Sequence, residues 1–210
     1  MRAVDYPRWI RGRLRGETVV DSKRARLLYF EGRKLPVYGF PADDVRLDAV
    51  PSDAVTRHDD IVQVDFGALD EWLEEDQPQL GHPPDVFHRI DVRPTSRHVR
   101  VSIRGRVVAE TTRARALFET GLPVRWYIPR EDVVADLEPS DHRTVCAYKG
   151  YATHFDVAGE GAIAWSYADP LHDGEPIRDL IAFYDERVEV EIDGQSQEPP
   201  DTQWSAGRSG

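Results

Sequence analysis

The chain has 210 residues, of which 40% are hydrophobic and 10% aromatic, so it holds enough apolar material for one large or two small domains and is not a wholly disordered chain. Its formal net charge is -11, and it has no basic stripe that would displace the counterions of a nucleic acid, so nucleic acid is not an expected partner. The single cysteine excludes an intramolecular disulfide and every zinc motif that needs two or four thiolates.

The sequence also lacks the features of membrane and secreted proteins. The opening "MRAVDYPRWIRGRLRG" has no apolar core of a signal peptide, and no later segment approaches the about 18 apolar residues of a membrane span. We therefore expect neither a membrane segment nor a leader, and we expect a location in the reducing cytoplasm.

Most of the chain has the pattern of short strands. "HVRVSIRG" alternates apolar and polar residues and then turns at Arg104-Gly105 into "VVAE", which predicts a hairpin. "PVRWYIP", "TVCAY", "YATHFDV", "AIAWSY" and "RVEVEID" follow as further strands. The helical candidates are short, at residues 112–118 and 177–182. We predict an all-β protein with short helices.

An internal repeat divides the chain. Residues 16–32 align with residues 105–121, and residues 41–53 align with residues 129–141 after a slip of one residue. The identical residues are Gly16, Val19, Arg24, Ala25, Arg26, Leu28 and Gly32, which meet Gly105, Val108, Arg113, Ala114, Arg115, Leu117 and Gly121. We predict two domains, residues 1–94 and 95–194. Residues 195–210 are polar and rich in Gly, Pro and Ser, and we expect them to be disordered.

The two copies differ in a way that separates scaffold from function. The first copy has no counterpart of "CAYKG" (residues 146–150), and Trp72 is the expected counterpart of Trp165. Features kept in both copies favour a structural role, which applies to Arg113, Asp132 and Asp136. Features confined to the second copy favour a functional role, which applies to Tyr148, Lys149, Trp165 and Tyr167. Glu119 aligns with Phe30 of the first copy and stays a functional candidate.

From residue 97 to residue 194 the sequence resembles the DUF427 family, which occurs in bacteria, archaea and fungi. The resemblance is carried by "TVCAYKGYA", "AWSYADPL" and "IAFYDERVEVEIDG". It implies a β-tent fold of two antiparallel sheets with a pocket between them, and hence two tandem β-tent-like domains. Related tent domains hold zinc through paired CxxC motifs, which this chain lacks, so no metal and no cofactor is expected.

The first functional hypothesis is binding of a small planar or polar metabolite. Aromatic side chains on three segments of the second copy would wall a pocket in that domain or at the domain interface, and nearby cations would hold polar groups of the ligand. The predicted ligand-binding residues are Trp126, Tyr127, Arg130, Tyr148, Lys149, Trp165 and Tyr167.

Two alternatives remain open. The chain is an enzyme if Cys146 or Lys149 acts as nucleophile, with Glu119 or His154 as the acid–base partner. A buried cysteine that acts only as a small apolar side chain would remove the thiol from this list. The second alternative is a protein-interaction module that exposes its sheet edges.

Overall fold

The computed structural model describes residues 1–205, which form two compact units, Met1–Val86 and Phe87 onward. Both units consist of short antiparallel strands with a few 3₁₀ segments, so the all-β prediction is confirmed. The division falls before the expected boundary at residue 94, because strand Ile90–Pro94 pairs with Arg115–Glu119 of the second unit.

Nine strands build the first unit. They are β1 (Arg2–Asp5), β2 (Ile10–Leu14), β3 (Glu17–Ser22), β4 (Arg26–Tyr29), β5 (Val37–Pro41), β6 (Val55–His58), β7 (Ile61–Val64), β8 (Glu71–Glu74) and β9 (Gln77–Gln79), with 3₁₀ segments at Ala42–Asp44, Ser52–Ala54 and Phe66–Ala68. They form two antiparallel sheets, ordered β1-β4-β5-β7-β6 and β3-β2-β8-β9. Side chains from both sheets meet in one core, in which Ile10, Leu27 and Phe40 are fully buried.

The described part of the second unit, residues 87–205, has eleven strands. They are β10 (Ile90–Pro94), β11 (Val99–Ile103), β12 (Arg106–Thr111), β13 (Arg115–Glu119), β14 (Arg125–Tyr127), β15 (Glu138–Cys146), β16 (Gly150–Val157), β17 (Glu160–Ser166), β18 (Ala182–Phe183), β19 (Glu189–Ile192) and β20 (Gln195–Ser196), with 3₁₀ segments at Arg130–Asp132 and His172–Ile177. Their sheets are ordered β12-β11-β19-β20, β10-β13-β14 and β15-β16-β17-β18.

Two of these three sheets are joined edge to edge. Ile128 and Ile181 exchange backbone hydrogen bonds of 2.8 Å each, which places β14 beside β18. The strands therefore form one layer in the order β10-β13-β14-β18-β17-β16-β15. The main core of the second unit includes Val99 from the other sheet and Ile163 and Phe183 from this layer.

Two strand predictions are confirmed by the observed burial and pairing. Strands β11 and β12 form the expected hairpin, whose turn residues Arg104 and Gly105 both have a positive φ. In β19, Val190 and Ile192 are buried while Glu189 is exposed, so the carboxylates of this strand lie outside the core.

Both helix predictions are wrong. Within residues 112–118, the part from Arg115 onward belongs to β13, because its backbone pairs with β10 on one side and β14 on the other. Within residues 177–182, Ile177 ends a 3₁₀ segment and Ala182 begins β18. Pairing with strands distant in sequence outweighs the weak local helical preference of these residues.

The strand registers show which positions of the two units are equivalent. In the first unit, Arg26 and Leu28 of β4 pair with Gly39 and Val37 of β5. In the second unit, the equivalent residues Arg115 and Leu117 of β13 pair with Tyr127 and Arg125 of β14. By the same registers, Phe30, Val37 and Gly39 of the first unit stand where the second unit has Glu119, Arg125 and Tyr127. The expected match of Trp72 with Trp165 is wrong. Trp72 pairs with Gly12, and at the equivalent position of the second unit Val190 pairs with Val101, so the counterpart of Trp72 is Val190.

The strands after β5 and β14 differ between the units. One hairpin, β6–β7, follows β5, whereas two hairpins, β15–β16 and β17–β18, follow β14. The turn of β15–β16 carries residues 147–149.

Part of the segment expected to be disordered has definite contacts in the structure. Strand β20 pairs with β19, and residues 202–205 form a turn. Residues 206–210 lie outside the described residues. Up to residue 205, no helix has the length and apolar character needed to cross a membrane.

Candidate functional site

One face of the layer β10-β13-β14-β18-β17-β16-β15 is turned away from the main core. Alternation along β14 places Ile128 in the main core and Tyr127 in a second cluster with Trp165 and Tyr167. Cys146, at the end of β15, faces Gly150 on the neighbouring strand. We call this surface the site face, and it carries Glu119, Arg125, Tyr127, Cys146, His154, Trp165 and Tyr167, with Lys149 in the adjoining turn.

A buried ion pair lies at the β13 end of the site face. The Lys149 Nζ donates to Glu119 Oε2 at 2.5 Å, and His88 Nε2 lies 3.0 Å from the other carboxylate oxygen. The side chains of Lys149 and Glu119 are only 10% and 13% exposed. Tyr148, next in the turn, places its ring 5.4 Å from that of His88.

Both members of this pair are held in their charged forms. Burial opposes ionisation of Glu119, but the charge of Lys149 and the hydrogen bonds from His88 and Lys149 outweigh it and lower the pKa of Glu119. Burial likewise opposes the ammonium of Lys149, but its electrostatic interactions with Cys146 and Glu119 and its hydrogen bond to Glu119 outweigh burial and raise the pKa of Lys149. Lys149 is therefore protonated at neutral pH.

Two tyrosines on the site face are protonated phenols. Burial raises the pKa of Tyr127 to about 12, and burial together with Tyr127, Cys146 and Glu119 raises the pKa of Tyr167 well above its ordinary value. The Trp165 Nε1 donates to the Tyr127 hydroxyl at 3.2 Å. Tyr167 is 5% exposed, and its hydroxyl has no hydrogen-bond partner among residues 1–205.

A second charged cluster lies at the start of β14, around Arg125. Arg125 donates to Glu186 and forms an ion pair with Asp185 at 3.4 Å, and its guanidinium lies 5.8 Å from the ring centre of Trp165. Burial and the charge of Glu186 raise the pKa of Asp185 to about 7, against the opposing charge of Arg125. Asp185 therefore exchanges a proton near neutral pH.

His154 is a neutral imidazole inside the β15–β16 hairpin. Its Nε2 lies 3.0 Å from the Thr144 hydroxyl, and its ring centre lies 4.5 Å from that of His142. Burial, with the electrostatic influence of nearby His142 and Arg143, lowers the pKa of His154 to about 4. In the described part of the chain, no three His, Cys, Asp or Glu side chains are grouped so that they could hold a metal ion.

The structure brings most of the sequence-predicted residues together. Glu119, Tyr127, Cys146, Tyr148, Lys149, Trp165 and Tyr167 all lie on the site face or in its adjoining turn. Trp126 and Arg130 do not join them: Trp126 packs against the main core with Arg97 over its ring at 5.5 Å, and Arg130 lies over Phe155. Residues at odd and even positions of one strand point to opposite faces, which separates Trp126 from Tyr127.

The aromatic rings pack on one another rather than around an open cage. Trp165 and Tyr184 have ring centres 4.6 Å apart, and Tyr127 meets Trp165 edge to face. Trp165 is therefore part of a second, smaller core, and its indole N–H is already satisfied by Tyr127.

Sequence reasoning missed four charged residues of this region: His88, Arg125, Asp185 and Glu186. The pair Asp185-Glu186 stands within "FYDERVEVEID", where adjacent charges between strands have the pattern of a solvated turn. The only sequence signal for Arg125 is that an apolar residue, Val37, stands at the equivalent position of the first unit.

The paired arginine and aspartate of the repeat have the same local structure in both units. Arg113 donates to Asp132 at 2.7 Å, and Thr111 donates to the same carboxylate at 2.6 Å. Arg24 and Ser22 bind Asp44 in the same way. Each set ties the strand before the repeated arginine to a 3₁₀ segment, which is a structural role.

The second unit is thus a two-layered β structure with a buried polar site on one face. Residues 91–194 belong to a family described as "Domain of unknown function (DUF427)", as the sequence resemblance indicated. No curated protein matches the chain. The matched segment includes every site-face residue named above, whereas His88 lies just before it.

The ion pair of Lys149 and Glu119 should be neutral for stability as a pair but costly to break. We expect Lys149→Met to destabilise the second unit by about 3 kcal/mol, because it leaves a buried carboxylate without its cation. The double variant Lys149→Met/Glu119→Leu should recover most of that loss. Calorimetric unfolding of the full chain measures both effects, and additive losses in the double variant would contradict this account.

Asp185 should make stability fall as pH rises. Its pKa is about 7 in the folded chain and near 3.8 when unfolded, so its contribution is complete below about pH 4 and is lost by about pH 7, up to roughly 4 kcal/mol. Asp185→Asn does not ionise. The difference between its free energy of unfolding and that of wild type should therefore grow in favour of the variant across this pH window and stay constant above it. The exposed Asp141→Asn should follow wild type, and a parallel Asp185→Asn curve would refute the assignment.

Proposed function

We propose that the second unit binds a small polar molecule on the site face, through acceptor oxygens of that molecule. The observation that carries the proposal is the Tyr167 hydroxyl, a protonated and nearly buried donor that bonds to no group among residues 1–205. The side chain is nearly buried but its hydroxyl is not among the fully buried atoms without a partner, so this donor is open to an acceptor oxygen of a ligand.

The buried ion pair supports the same proposal. Placing Lys149 and Glu119 in a nearly dry site costs desolvation that their attraction recovers only in part, so the pair is not needed for stability. The first unit has Phe30 at the position of Glu119. Charged groups that a scaffold does not need are typical of functional sites.

The donors of the site indicate the class of ligand. The Lys149 ammonium has two protons beyond the one given to Glu119, and the Tyr127 and Tyr167 phenols are protonated. Such a set favours carboxylate, carbonyl or phosphate oxygens. Stacking of a large planar ligand has less support, because the Trp165 ring already packs against Tyr184 and Arg125.

We also infer that the two units arose by duplication and that only the second carries this site. The shared strand order and the repeated arginine–aspartate pair support the duplication. The first unit has Phe30, Val37 and Gly39 at the positions of Glu119, Arg125 and Tyr127, so it lacks these charged and phenolic groups.

The proposal predicts a Tyr167-dependent thermal shift. A panel of small carboxylates, 2-oxo acids and nucleotides should contain compounds that, near a hundredfold excess over Kd, raise the Tm by roughly 5 °C or more. Tyr167→Phe removes one hydroxyl and should abolish the shift, whereas Tyr151→Phe, at an exposed position of the same unit, should keep it. A shift of equal size in wild type and Tyr167→Phe would place the ligand elsewhere, and a panel without any shift would count against binding.

A second candidate function is a thiol enzyme with Cys146 as nucleophile. The observation in its favour is the Lys149 ammonium, whose charge interacts with the thiol, since a neighbouring positive charge favours the reactive thiolate. His154, the acid–base candidate, lies on the same face, but its pKa of about 4 makes it a weak base, so activation of the thiol would rest on Lys149. Lys149 itself is a poor nucleophile because it is protonated. This chemistry would suit the cytoplasmic location that we propose from the composition.

The thiol candidate is tested by labelling kinetics. Wild-type Cys146 should react with iodoacetamide at neutral pH faster than free cysteine, and Lys149→Met should slow the reaction about tenfold, since the positive charge beside the thiol is lost. A wild-type rate below that of free cysteine would remove Cys146 from consideration as a nucleophile.

A further inference from the structure

Near the end of the described chain, residues 202–205 form a compact turn, which we call the C-terminal turn. The Ser205 N–H donates to the Thr202 carbonyl at 3.0 Å, and the Thr202 N–H donates to the Ser205 hydroxyl at 2.9 Å. The turn is therefore held in shape by its own hydrogen bonds.

The C-terminal turn lies on the charged cluster at the Arg125 end of the site face. The Thr202 hydroxyl donates to Glu186 Oε1 at 2.6 Å, and the Arg125 guanidinium lies 5.8 Å from the ring centre of Trp204. Arg125 thus contacts two indoles, Trp165 of the site face and Trp204 of the turn. Arg125 and Glu186 are buried in this arrangement.

Few interactions hold the turn in place. The last backbone bond to a strand upstream is from Gln197 to Val190, and two prolines, Pro199 and Pro200, follow it. Within the described chain, residues 202–205 make no backbone hydrogen bond to a strand. A segment without backbone hydrogen bonds to a strand opens at lower cost than strands within a sheet.

The cluster under the turn has unused hydrogen-bonding capacity. Arg125 Nη1 and Glu186 Oε2 are buried, and neither makes a hydrogen bond among residues 1–205, although Arg125 Nη1 lies 3.4 Å from Asp185 Oδ2 in an ion pair. One is a donor and the other an acceptor, and they belong to side chains that are already hydrogen-bonded to each other. A group that accepts from the first and donates to the second would satisfy both, which describes a primary carboxamide or a hydroxyl.

We propose that the C-terminal turn is a displaceable cover, and that the Arg125–Glu186 pair beneath it is a second binding position for a carboxamide or hydroxyl group of a ligand. The ligand part rests on the proposed binding function of the site face, whereas the cover is a property of the chain alone. Because such a ligand binds only the open state, its apparent affinity is its intrinsic affinity multiplied by the fraction of molecules that are open.

The cover is tested without any ligand. The double variant Thr202→Val/Trp204→Ala removes both contacts of the turn, and phenylglyoxal modification of Arg125 is followed by peptide mass spectrometry of the full chain. We expect Arg125 to react at least about fivefold faster in the variant, since its closed fraction falls. An unchanged Arg125 rate would overturn the cover.

A matched control comes from the first unit. Trp9 places its ring 3.9 Å from the Arg11 guanidinium, so Trp9→Ala removes an equivalent indole–arginine contact. It should leave the rate at Arg125 unchanged. A rise at Arg125 in Trp9→Ala would mean that loss of any indole loosens the chain, and would count against the cover.

The binding position is tested with two related amides in the variant Thr202→Val/Trp204→Ala, which we call the uncovered variant. Benzamide both accepts and donates and should slow the modification of Arg125, whereas N,N-dimethylbenzamide accepts but cannot donate and should protect poorly. Equal protection, or none, would overturn the assignment of a donating and accepting group.

The outcomes separate this inference from the proposed function. Faster modification of Arg125 in the variant, with no Tyr167-dependent ligand in the panel, keeps the cover and rejects the proposed function. A Tyr167-dependent ligand whose affinity is unchanged in the uncovered variant, together with an unchanged Arg125 rate, rejects the cover and keeps the proposed function.

Discussion

The pair of backbone hydrogen bonds between Ile128 and Ile181 is the constraint on which the site depends. It joins β14 to β18, so that the strands β10-β13-β14-β18-β17-β16-β15 form one layer. Because side chains alternate along every strand, a continuous layer has one face for the main core and another face on which distant residues meet. Glu119, Tyr127 and Trp165 lie on three different strands and share that second face only because these strands are joined.

The second face combines apolar packing with charge in a way that gives each group a definite protonation state. Aromatic rings exclude water, which strengthens the attraction between Lys149 and Glu119 and keeps the phenols of Tyr127 and Tyr167 protonated. The result is a set of hydrogen-bond donors held in a weakly hydrated surrounding. Such a surrounding favours recognition of acceptor groups, because an acceptor group of a ligand competes there with little bulk water for each donor.

The first unit contains a buried carboxylate, Glu74, whose hydrogen-bonding capacity is used within the unit. Glu74 accepts from the hydroxyls of Tyr6 and Tyr38 at 2.6 and 2.9 Å, and from Arg8 at 2.5 Å. Both of its oxygens are engaged, which is the arrangement of a structural network. The polar cluster of the second unit differs, because Glu186 Oε2 is buried without a hydrogen-bond partner among the described residues, and the hydroxyl of Tyr167 makes no hydrogen bond there.

The sequence by itself determined the all-β class, the β11–β12 hairpin and the family of residues 91–194, since these depend on short-range alternation and on local motifs. The contrast between the two repeats pointed to Lys149, Trp165 and Tyr167, which lie on the site face or in its adjoining turn. Only the tertiary structure decided that residues 115–119 are a strand, that Trp126 and Arg130 lie away from the site, and that Arg125 meets Asp185 and Glu186. Those features arise from pairing between segments far apart in the chain. Local propensity carries no information about which distant strand supplies the partner, whereas the backbone hydrogen bonds of the folded layer do.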